Sequence, residues 1–267
     1  MRIRRRLAIV LALGATVALA VAGIALAAAA NSTVTFKFTK VPAGALGKTF
    51  KSGKLNVHTH MNYLVPKTDT TRAQLYFDND IKFNPTSAPK CNTASAAYNN
   101  AKTLKQAMAA CGSATLVGTG TAKVNVASPG DTTACVLAFN ATVNSKPGLA
   151  LFVSAIPFKS YSCANPANNS QGTTAVRVSA TFNANPASLG PDFTGGKWLD
   201  FDGSGIPSAA PLSDFNVTLQ KGTYVQAKCG DANKLLNMKT VFTYTTSHDP
   251  NPSTTSSQTV LSKQACT

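Results

Sequence analysis

Glutamate is absent from this sequence and histidine is scarce, which excludes several kinds of active site. All 10 acidic residues of the 267-residue chain are aspartates, and its 3 histidines are His58, His60 and His248. A glycosidase with a pair of catalytic glutamates is therefore excluded, as is any metal centre that needs four or more histidines. Because 44% of the residues are hydrophobic and 13% are charged, the chain can fill a core and is not a disordered protein.

Residues 1–30 have the composition of an export signal. Four arginines precede an apolar stretch, Leu7–Ala30, which contains one polar side chain, Thr16, and ends in three alanines. A basic start, an apolar middle and small residues at the end predict a signal peptide that is cleaved after residue 30. The alternative is an N-terminal anchor, because 24 residues without a charge are enough to span a bilayer. With cleavage, we expect residues 31–267 to be exported, with no stable membrane insertion.

Lysines dominate the start of the exported part. Without residues 1–30 the basic residues fall from 25 to 21 and the net charge from +15 to +11, and six lysines but no acid lie between Asn31 and Thr68. Such a segment attracts polyanions, which outside a membrane are cell-wall polymers, acidic polysaccharides or lipid headgroups. The alternative is a lysine-rich surface that keeps the protein soluble. The predicted basic edge consists of Lys37, Lys40, Lys48, Lys51 and Lys54.

Apolar and polar residues alternate along most of the exported chain. In Val34–Phe38 and Val176–Phe182, residues of one parity are mainly apolar and their neighbours mainly polar. This period of two is typical of antiparallel strands with one buried and one solvated face, and turn residues such as Pro147-Gly148 and Asp249-Pro250 separate the strands. The sequence therefore predicts an all-β fold, an antiparallel two-sheet β-sandwich of about ten strands in one domain over residues 31–267.

The 6 cysteines, all in the exported part, predict three disulfides. An even number is typical of exported proteins, whereas a metal site needs close pairs such as C-x-x-C, which the sequence does not contain. A capping box at Thr103–Gln106 predicts a short helix near 103–111. One straight helix would hold Cys91 and Cys111 too far apart for a disulfide, so either they pair with other cysteines or the chain doubles back before this helix. The capping box favours the second alternative, and we therefore predict that Cys91 and Cys111 pair.

Hairpin geometry predicts the other two disulfides. A hairpin that turns at Asp249-Pro250 has its midpoint close to that of the Cys229–Cys266 pair, so its ladder brings these cysteines together. For the Cys135–Cys163 pair, a turn at Pro147-Gly148 leaves the partners about five residues out of register. A bulge at Pro157 would close this gap.

Several blocks resemble a group of exported proteins of soil actinobacteria. In that group an FD-x-x-I-x-F-N strand precedes a cysteine, an A-x-x-x-G-x-G-x-A strand follows the next one, and the chain closes on K-G-x-Y-x-x-A-K-C, F-T-Y and a last cysteine. These blocks stand here at Phe77–Asn84, Ala114–Ala122, Lys221–Cys229, Phe242–Tyr244 and Cys266. The resemblance implies a secreted, disulfide-containing β protein and supports the Cys91–Cys111 and Cys229–Cys266 pairs. The group has no established activity, so the resemblance assigns no catalytic residue.

Trp198, Asp200 and Asp202 form the densest cluster of aromatic and acidic residues. In an extended strand the three side chains share one face, and an indole flanked by carboxylates can stack on a sugar ring and bind its hydroxyls. The same aspartates carry the hypothesis of an Asp-dependent hydrolase that acts on polysaccharides. The alternative is that this tryptophan covers the edge of the fold and that the aspartates belong to a turn.

His58 and His60 are two residues apart in a predicted strand and therefore lie on one polar face, as two ligands of a copper or zinc ion would. His248 is the remaining imidazole. The hypothesis that follows is a metal carrier, and its alternative is a pair of solvated histidines.

The sequence as a whole favours an exported, non-enzymatic binding protein of the cell envelope or the extracellular space. Its expected partners are anionic cell-wall polymers or polysaccharides, and we expect no cofactor. No Gly-x-Ser-x-Gly nucleophile motif occurs, and the predicted disulfides leave no thiolate for catalysis. Nucleic acid is not an expected partner, because only Arg72 and Arg177 remain as arginines and no binding motif occurs. The hydrolase and the metal carrier are the alternatives.

Overall fold

The structure of the protein is a computed structural model that describes residues 30–65, 67–124, 132–156, 159, 161–203, 211–230, 234–248 and 251–266. Residues 1–29 of the predicted signal segment, which covers residues 1–30, and the predicted turn at 249–250 lie outside the described residues. The described residues form 13 strands and two α-helices: β1 (Ala30–Lys40), β2 (Lys51–Tyr63), β3 (Thr68–Phe77), β4 (Ile81–Phe83), α1 (Ala96–Asn100), α2 (Leu104–Cys111), β5 (Leu116–Val124), β6 (Thr132–Val143), β7 (Lys146–Ala155), β8 (Thr174–Ala184), β9 (Lys197–Asp202), β10 (Leu212–Leu219), β11 (Val225–Ala227), β12 (Leu235–His248) and β13 (Asn251–Ala265). None of the helices in this part of the chain has the length and hydropathy needed to span a bilayer.

The strands confirm the antiparallel all-β fold, but the two-sheet arrangement of about ten strands is not what the structure shows. The 13 strands of the described residues join in one sheet in the order β13-β12-β3-β9-β8-β7-β6-β5-β10-β2-β11-β4, with β1 also paired to β2. The reason is that β8 belongs to both halves of the sheet. Residues 174–181 of this strand pair with β7, and residues 182–184 pair with β9. Local alternation does not reveal that one strand continues from one half into the other.

The sheet curls until β1 lies beside β13, and side chains join these two strands. The Gln258 amide accepts a hydrogen bond from Ser32 N (2.7 Å) and donates one to Ser32 O (3.1 Å). Gln264 makes the same pair of bonds to Phe38 N (2.6 Å) and Phe38 O (2.8 Å). Each glutamine thus takes the place of a backbone amide in a ladder, which satisfies groups that an open edge would leave unpaired. We call this line of contact the β1–β13 seam.

Side chains on the inner face of the curled sheet form the main core. In β1 every second residue from Ala30 to Phe38 is buried and the residues between them are exposed, as the alternation predicts. β6 departs from this rule because both of its faces are covered. Ala134, Val136 and Ala138 belong to the main core, whereas Leu137 and Phe139 pack with Tyr98 and Leu104 of the helical segment.

The helical segment forms as predicted. The side chain of Thr103 accepts a hydrogen bond from Gln106 N (3.2 Å), and the Gln106 side chain accepts one from Thr103 N (3.1 Å), so the capping box is present and α2 ends at Cys111. A second short helix, α1, lies in the part that doubles back. The Cys91–Cys111 disulfide closes the segment with a Cα–Cα distance of 4.6 Å.

The other two predicted disulfides are also present. The β12–β13 hairpin pairs Leu235 with Ala265, and the Cys229–Cys266 disulfide joins its base. The Cys135–Cys163 disulfide forms although the predicted turn is wrong, because β6 and β7 turn at Asn144-Ser145, both with positive φ, and not at Pro147-Gly148. Cys135 therefore faces Ser154, and Cys163 reaches it from the segment that follows β7. The proposed bulge at Pro157 lies outside the described residues.

Candidate functional site

A groove of about 840 Å³ runs along the outer side of the β1–β13 seam. Lys37 and Lys40 of β1 line it together with Lys263 of β13. The pairing of strands at the seam brings two of these lysines together. Lys37 directly precedes Phe38, Lys263 directly precedes Gln264, and Phe38 and Gln264 are hydrogen-bonded to each other. Side chains of adjacent residues point to opposite faces of a strand, so the inward glutamine places its lysine neighbour outward. We call this feature the seam groove.

The charge of the seam groove is not compensated by aspartates in the part of the chain that the structure describes. The ion pairs there involve His58, His60, Arg72 and Lys228, and none includes Lys37, Lys40 or Lys263. Four uncharged polar residues also line the groove, namely Thr35, Thr39, Asn56 and Gln264. The amides of Asn56 and Gln264 are engaged within the protein, so the groove offers ammonium groups for anionic substituents and the hydroxyls of Thr35 and Thr39 for neutral ones.

The remaining lysines of the predicted basic edge lie near the seam groove but do not line it. Lys54 faces Thr39 across the β1–β2 pair, Lys51 begins β2, and Lys48 lies in the connection between the two strands; all three are exposed. The structure therefore divides the predicted edge into two groove residues and three flanking ones. It adds Lys263, which lies more than 200 residues away in the sequence and which sequence reasoning missed.

The predicted cluster of Trp198, Asp200 and Asp202 lies on β9, where Trp198 and Asp200 each contact a side chain of β3. The Trp198 indole stacks on the ring of Tyr76, with centroids 5.2 Å apart and an interplanar angle of 19°, and its N–H donates to Ala184 O (3.0 Å). One ring face is thus covered, and only the other is available to a sugar. The prediction of a glycan site at Trp198 stays a prediction.

Asp200 is held by an arginine that sequence reasoning did not connect with it. Arg72 donates from Nε to Asp200 Oδ1 (2.6 Å) and from a terminal nitrogen to Asp200 Oδ2 (2.5 Å). A bidentate pair of this kind engages both carboxylate oxygens and fixes the carboxylate in one orientation. Such a carboxylate is suited to hold a neighbouring strand and poorly suited to exchange a proton with a substrate. The hydrolase built on Asp200 and Asp202 therefore gains no support from this arrangement and remains a hypothesis.

His58 and His60 share the outer face of β2, as predicted, and both turn towards Asp214 of β10. His58 Nε2 lies 2.8 Å and His60 Nδ1 lies 3.7 Å from Asp214 Oδ2. His248 ends β12, which is not a neighbour of β2. Among the described residues, no group of three or more His, Cys, Asp or Glu side chains is arranged to hold a metal ion. The metal carrier accordingly gains no support from this geometry.

Two buried aspartates of the FD-x-x-I motif hold the turn between β3 and β4. Asp78 is fully buried and accepts hydrogen bonds from Asp80 N (2.7 Å), from Asn237 N (2.9 Å) and from Asn237 Nδ2 (2.9 Å). Asp80 is equally buried and pairs with Lys228 at 3.3 Å. Burial raises the pKa of Asp78 to about 6, although the N–H donors oppose this shift.

The raised pKa of Asp78 predicts a pH-dependent stability. Because the folded-state pKa of about 6 lies above the ordinary value of 3.8, protonated Asp78 stabilises the fold, and this contribution is complete below about pH 4 and lost as the pH rises through 6. Between pH 4 and pH 7 the wild-type protein should lose about 2 kcal/mol of unfolding free energy relative to Asp78→Asn, which does not titrate. Urea denaturation of both proteins across this range measures the difference. If the unfolding free energies of the two proteins changed in parallel with pH, Asp78 would have an ordinary pKa.

Comparison of the chain with protein-family models, with curated proteins and with solved structures finds no match. The assignment of a function therefore depends on the chain itself.

Proposed function

We propose that the protein is an exported, non-enzymatic binding protein that holds anionic polymers in the seam groove. The observation that carries this proposal is the convergence of Lys37, Lys40 and Lys263 on one groove of about 840 Å³ without an aspartate partner in the described part of the chain. Three disulfides are typical of a protein that works in an oxidising compartment outside the cytoplasm. The apolar N-terminal segment of the sequence supports export.

The chemistry of the groove favours a polymer with repeated phosphate or carboxylate groups and hydroxyl groups between them. Lysine presents a compact, hydrated ammonium on a flexible stem, so it attracts anions without fixing their orientation. The hydroxyls of Thr35 and Thr39 can hydrogen-bond to the neutral hydroxyls of the same polymer. We therefore expect binding that is weak, tolerant of the exact repeat and reduced by salt. Anionic cell-wall polymers and acidic polysaccharides have this composition.

Removing the groove charges should weaken retention on a purified anionic wall polymer. The variant carries Lys37→Gln, Lys40→Gln and Lys263→Gln, and at about 0.5 kcal/mol for each exposed lysine the expected loss of affinity is about tenfold. The matched control carries Lys90→Gln, Lys105→Gln and Lys146→Gln, which are exposed, do not line the groove and remove the same net charge. We expect the control to change affinity by less than about twofold.

The salt dependence of the same assay separates a local site from general attraction. Wild-type retention should fall steeply as the ionic strength rises towards about 1 M, where the Debye length shrinks to about 3 Å. Equal losses in the groove variant and in the control would mean that only the net charge matters, and the proposal would then fail. Absence of wild-type retention at low salt would also refute it.

A further inference from the structure

The inner face of the curled sheet lines a partly open apolar cavity of about 160 Å³ that is separate from the seam groove. Its walls come from both halves of the sheet. They include four successive inward positions of β2 (Leu55, Val57, Thr59 and Met61), four inward positions of β3 (Thr70, Ala73, Leu75 and Phe77), and Arg72, whose side chain pairs with Asp200 on the outer face. Residues of β5, β7, β8, β9, β10 and β12 complete the wall. Nearly all of these lining residues are aliphatic or aromatic.

Side chains do not fill this space. Val57, Leu75, Val178, Phe201 and Phe215 point inward and line the cavity, yet each is only partly buried. Protein interiors are close-packed, and voids larger than a water molecule are few because the lining atoms lose their contacts. Valine and alanine at several wall positions keep the space open, where larger residues would close it. A fold that retains such a space at its centre has the form of a binding site for a small apolar molecule.

The composition of the wall defines the class of ligand. An apolar cavity of about 150 Å³ in another protein stays dry and binds benzene, so the size and polarity found here suffice for a hydrocarbon. Arg72, the charged residue of the wall, has its guanidinium engaged by Asp200. Thr70, one of the two hydroxyl residues, lies 3.0 Å from the Tyr63 hydroxyl. The part of a ligand that enters the cavity must therefore be uncharged.

The shape of the cavity favours a chain over a compact ring. The wall follows β2 from Leu55 to Met61 and β10 from Leu219 to Leu212, so it extends along the strands. At about 3.3 Å per residue, the β2 wall alone spans about 20 Å. We propose that this cavity binds a single saturated alkyl or acyl chain.

The test uses the disulfide-bonded mature chain and a series of saturated fatty acids and fatty alcohols with 4 to about 12 carbons, which compete with the fluorescent probe N-phenyl-1-naphthylamine. Burial of each methylene predicts that two added carbons tighten binding about tenfold until the cavity is full. An acid and an alcohol of equal length should bind within about threefold of each other, because the chain and not the headgroup is held. Binding of the acids alone would assign them to lysines at the surface and overturn the proposal.

Substitutions in the cavity wall test whether the alkyl chain of the ligand binds in the cavity. Val178→Phe fills the cavity and should weaken binding of dodecanol more than about tenfold, whereas Ser179→Phe, at the adjacent exposed position of β8, should leave it unchanged. Leu75→Ala enlarges the space and should shift the optimum to a longer chain, a result that remains informative if Val178→Phe fails to fold. Unchanged binding in both wall variants, or no displacement of the probe by any chain, would overturn the proposal.

A further arm of the experiment distinguishes whether the bound acyl chain belongs to a membrane lipid or to a free fatty acid or alcohol. Vesicles of a phospholipid with one spin-labelled acyl chain are mixed with the protein, and immobilisation of the label is measured. Immobilisation that Val178→Phe abolishes would support the cavity site with a membrane lipid as the source. Chain binding without transfer from vesicles would support it with free fatty acids or alcohols as the source.

Discussion

Replacing Asn140 by aspartate is expected to destabilise the protein by more than about 3 kcal/mol. Asn140 is fully buried in β6, and its amide nitrogen donates to Pro85 O (2.8 Å), Ala88 O (2.7 Å) and Pro89 O (3.1 Å). Its amide oxygen accepts a hydrogen bond from the Tyr224 hydroxyl (3.2 Å). An aspartate of the same shape would place an oxygen against three carbonyl oxygens. Either a buried charge or unpaired carbonyl groups would result.

Urea denaturation at two pH values measures this effect. The loss of unfolding free energy caused by Asn140→Asp should be larger at pH 8 than at pH 5, because folding of the variant favours the protonated form of the new carboxyl. Asn99→Asp is the matched control, because Asn99 is exposed and donates one long hydrogen bond, to Ala94 O at 3.5 Å. It should change stability by less than about 0.5 kcal/mol. A change below about 1 kcal/mol in Asn140→Asp would show that this residue does not hold the 85–89 segment.

The double substitution of Gln258 and Gln264 by leucine should open the β1–β13 seam. It removes the four hydrogen bonds to the backbone groups of Ser32 and Phe38. At about 1 kcal/mol for each bond, the free energy needed to open the seam should fall by about 4 kcal/mol. The Ser262 hydroxyl, which donates to Val34 O, cannot hold the two strands alone. The effect is local because β1 keeps its antiparallel pairing with β2 on the other side.

Amide hydrogen exchange reports on this seam directly. The N–H groups of Ser32 and Phe38 should exchange about a thousandfold faster in the double variant, which is the kinetic equivalent of about 4 kcal/mol. Gln220→Leu, an exposed glutamine outside the seam, should leave both rates unchanged. Unchanged exchange in the double variant would mean that packing, and not the glutamine amides, keeps β1 beside β13.

Strands and disulfides could be predicted from sequence because their signals are local. Alternation in β1 shows which residues are buried, and the capping box at Thr103 shows where α2 begins. The number of sheets could not be predicted, because it depends on β8 changing partners after residue 181. The predicted position of the β6–β7 turn is also wrong. The turn lies at Asn144 and Ser145, which adopt positive φ, although Pro147-Gly148 is the stronger turn signal in the sequence.

The candidate site was predictable only in the part that lies within one segment. Lys37 and Lys40 follow from the lysine-rich start of the exported chain, whereas Lys263 joins them only because β13 closes the sheet against β1. Asp214 beside His58 and Arg72 beside Asp200 are contacts of the same kind. The alternation of apolar and polar residues predicts that each of these side chains points outward, and this is the part of the contacts that the sequence indicates. The pairing of strands that are distant in sequence is what sequence alone did not supply.

Lysine labelling with and without polymer tests directly whether the seam groove is the polyanion site. The protein is treated with an amine-reactive reagent in the absence and presence of a purified anionic wall polymer, and the labelled residues are quantified by mass spectrometry. Lys37, Lys40 and Lys263 should become protected, with weaker protection at Lys48, Lys51 and Lys54, while Lys105 and Lys146 keep their reactivity. Uniform protection of all lysines, or protection confined to lysines outside the groove, would contradict the assignment of this groove as the binding surface.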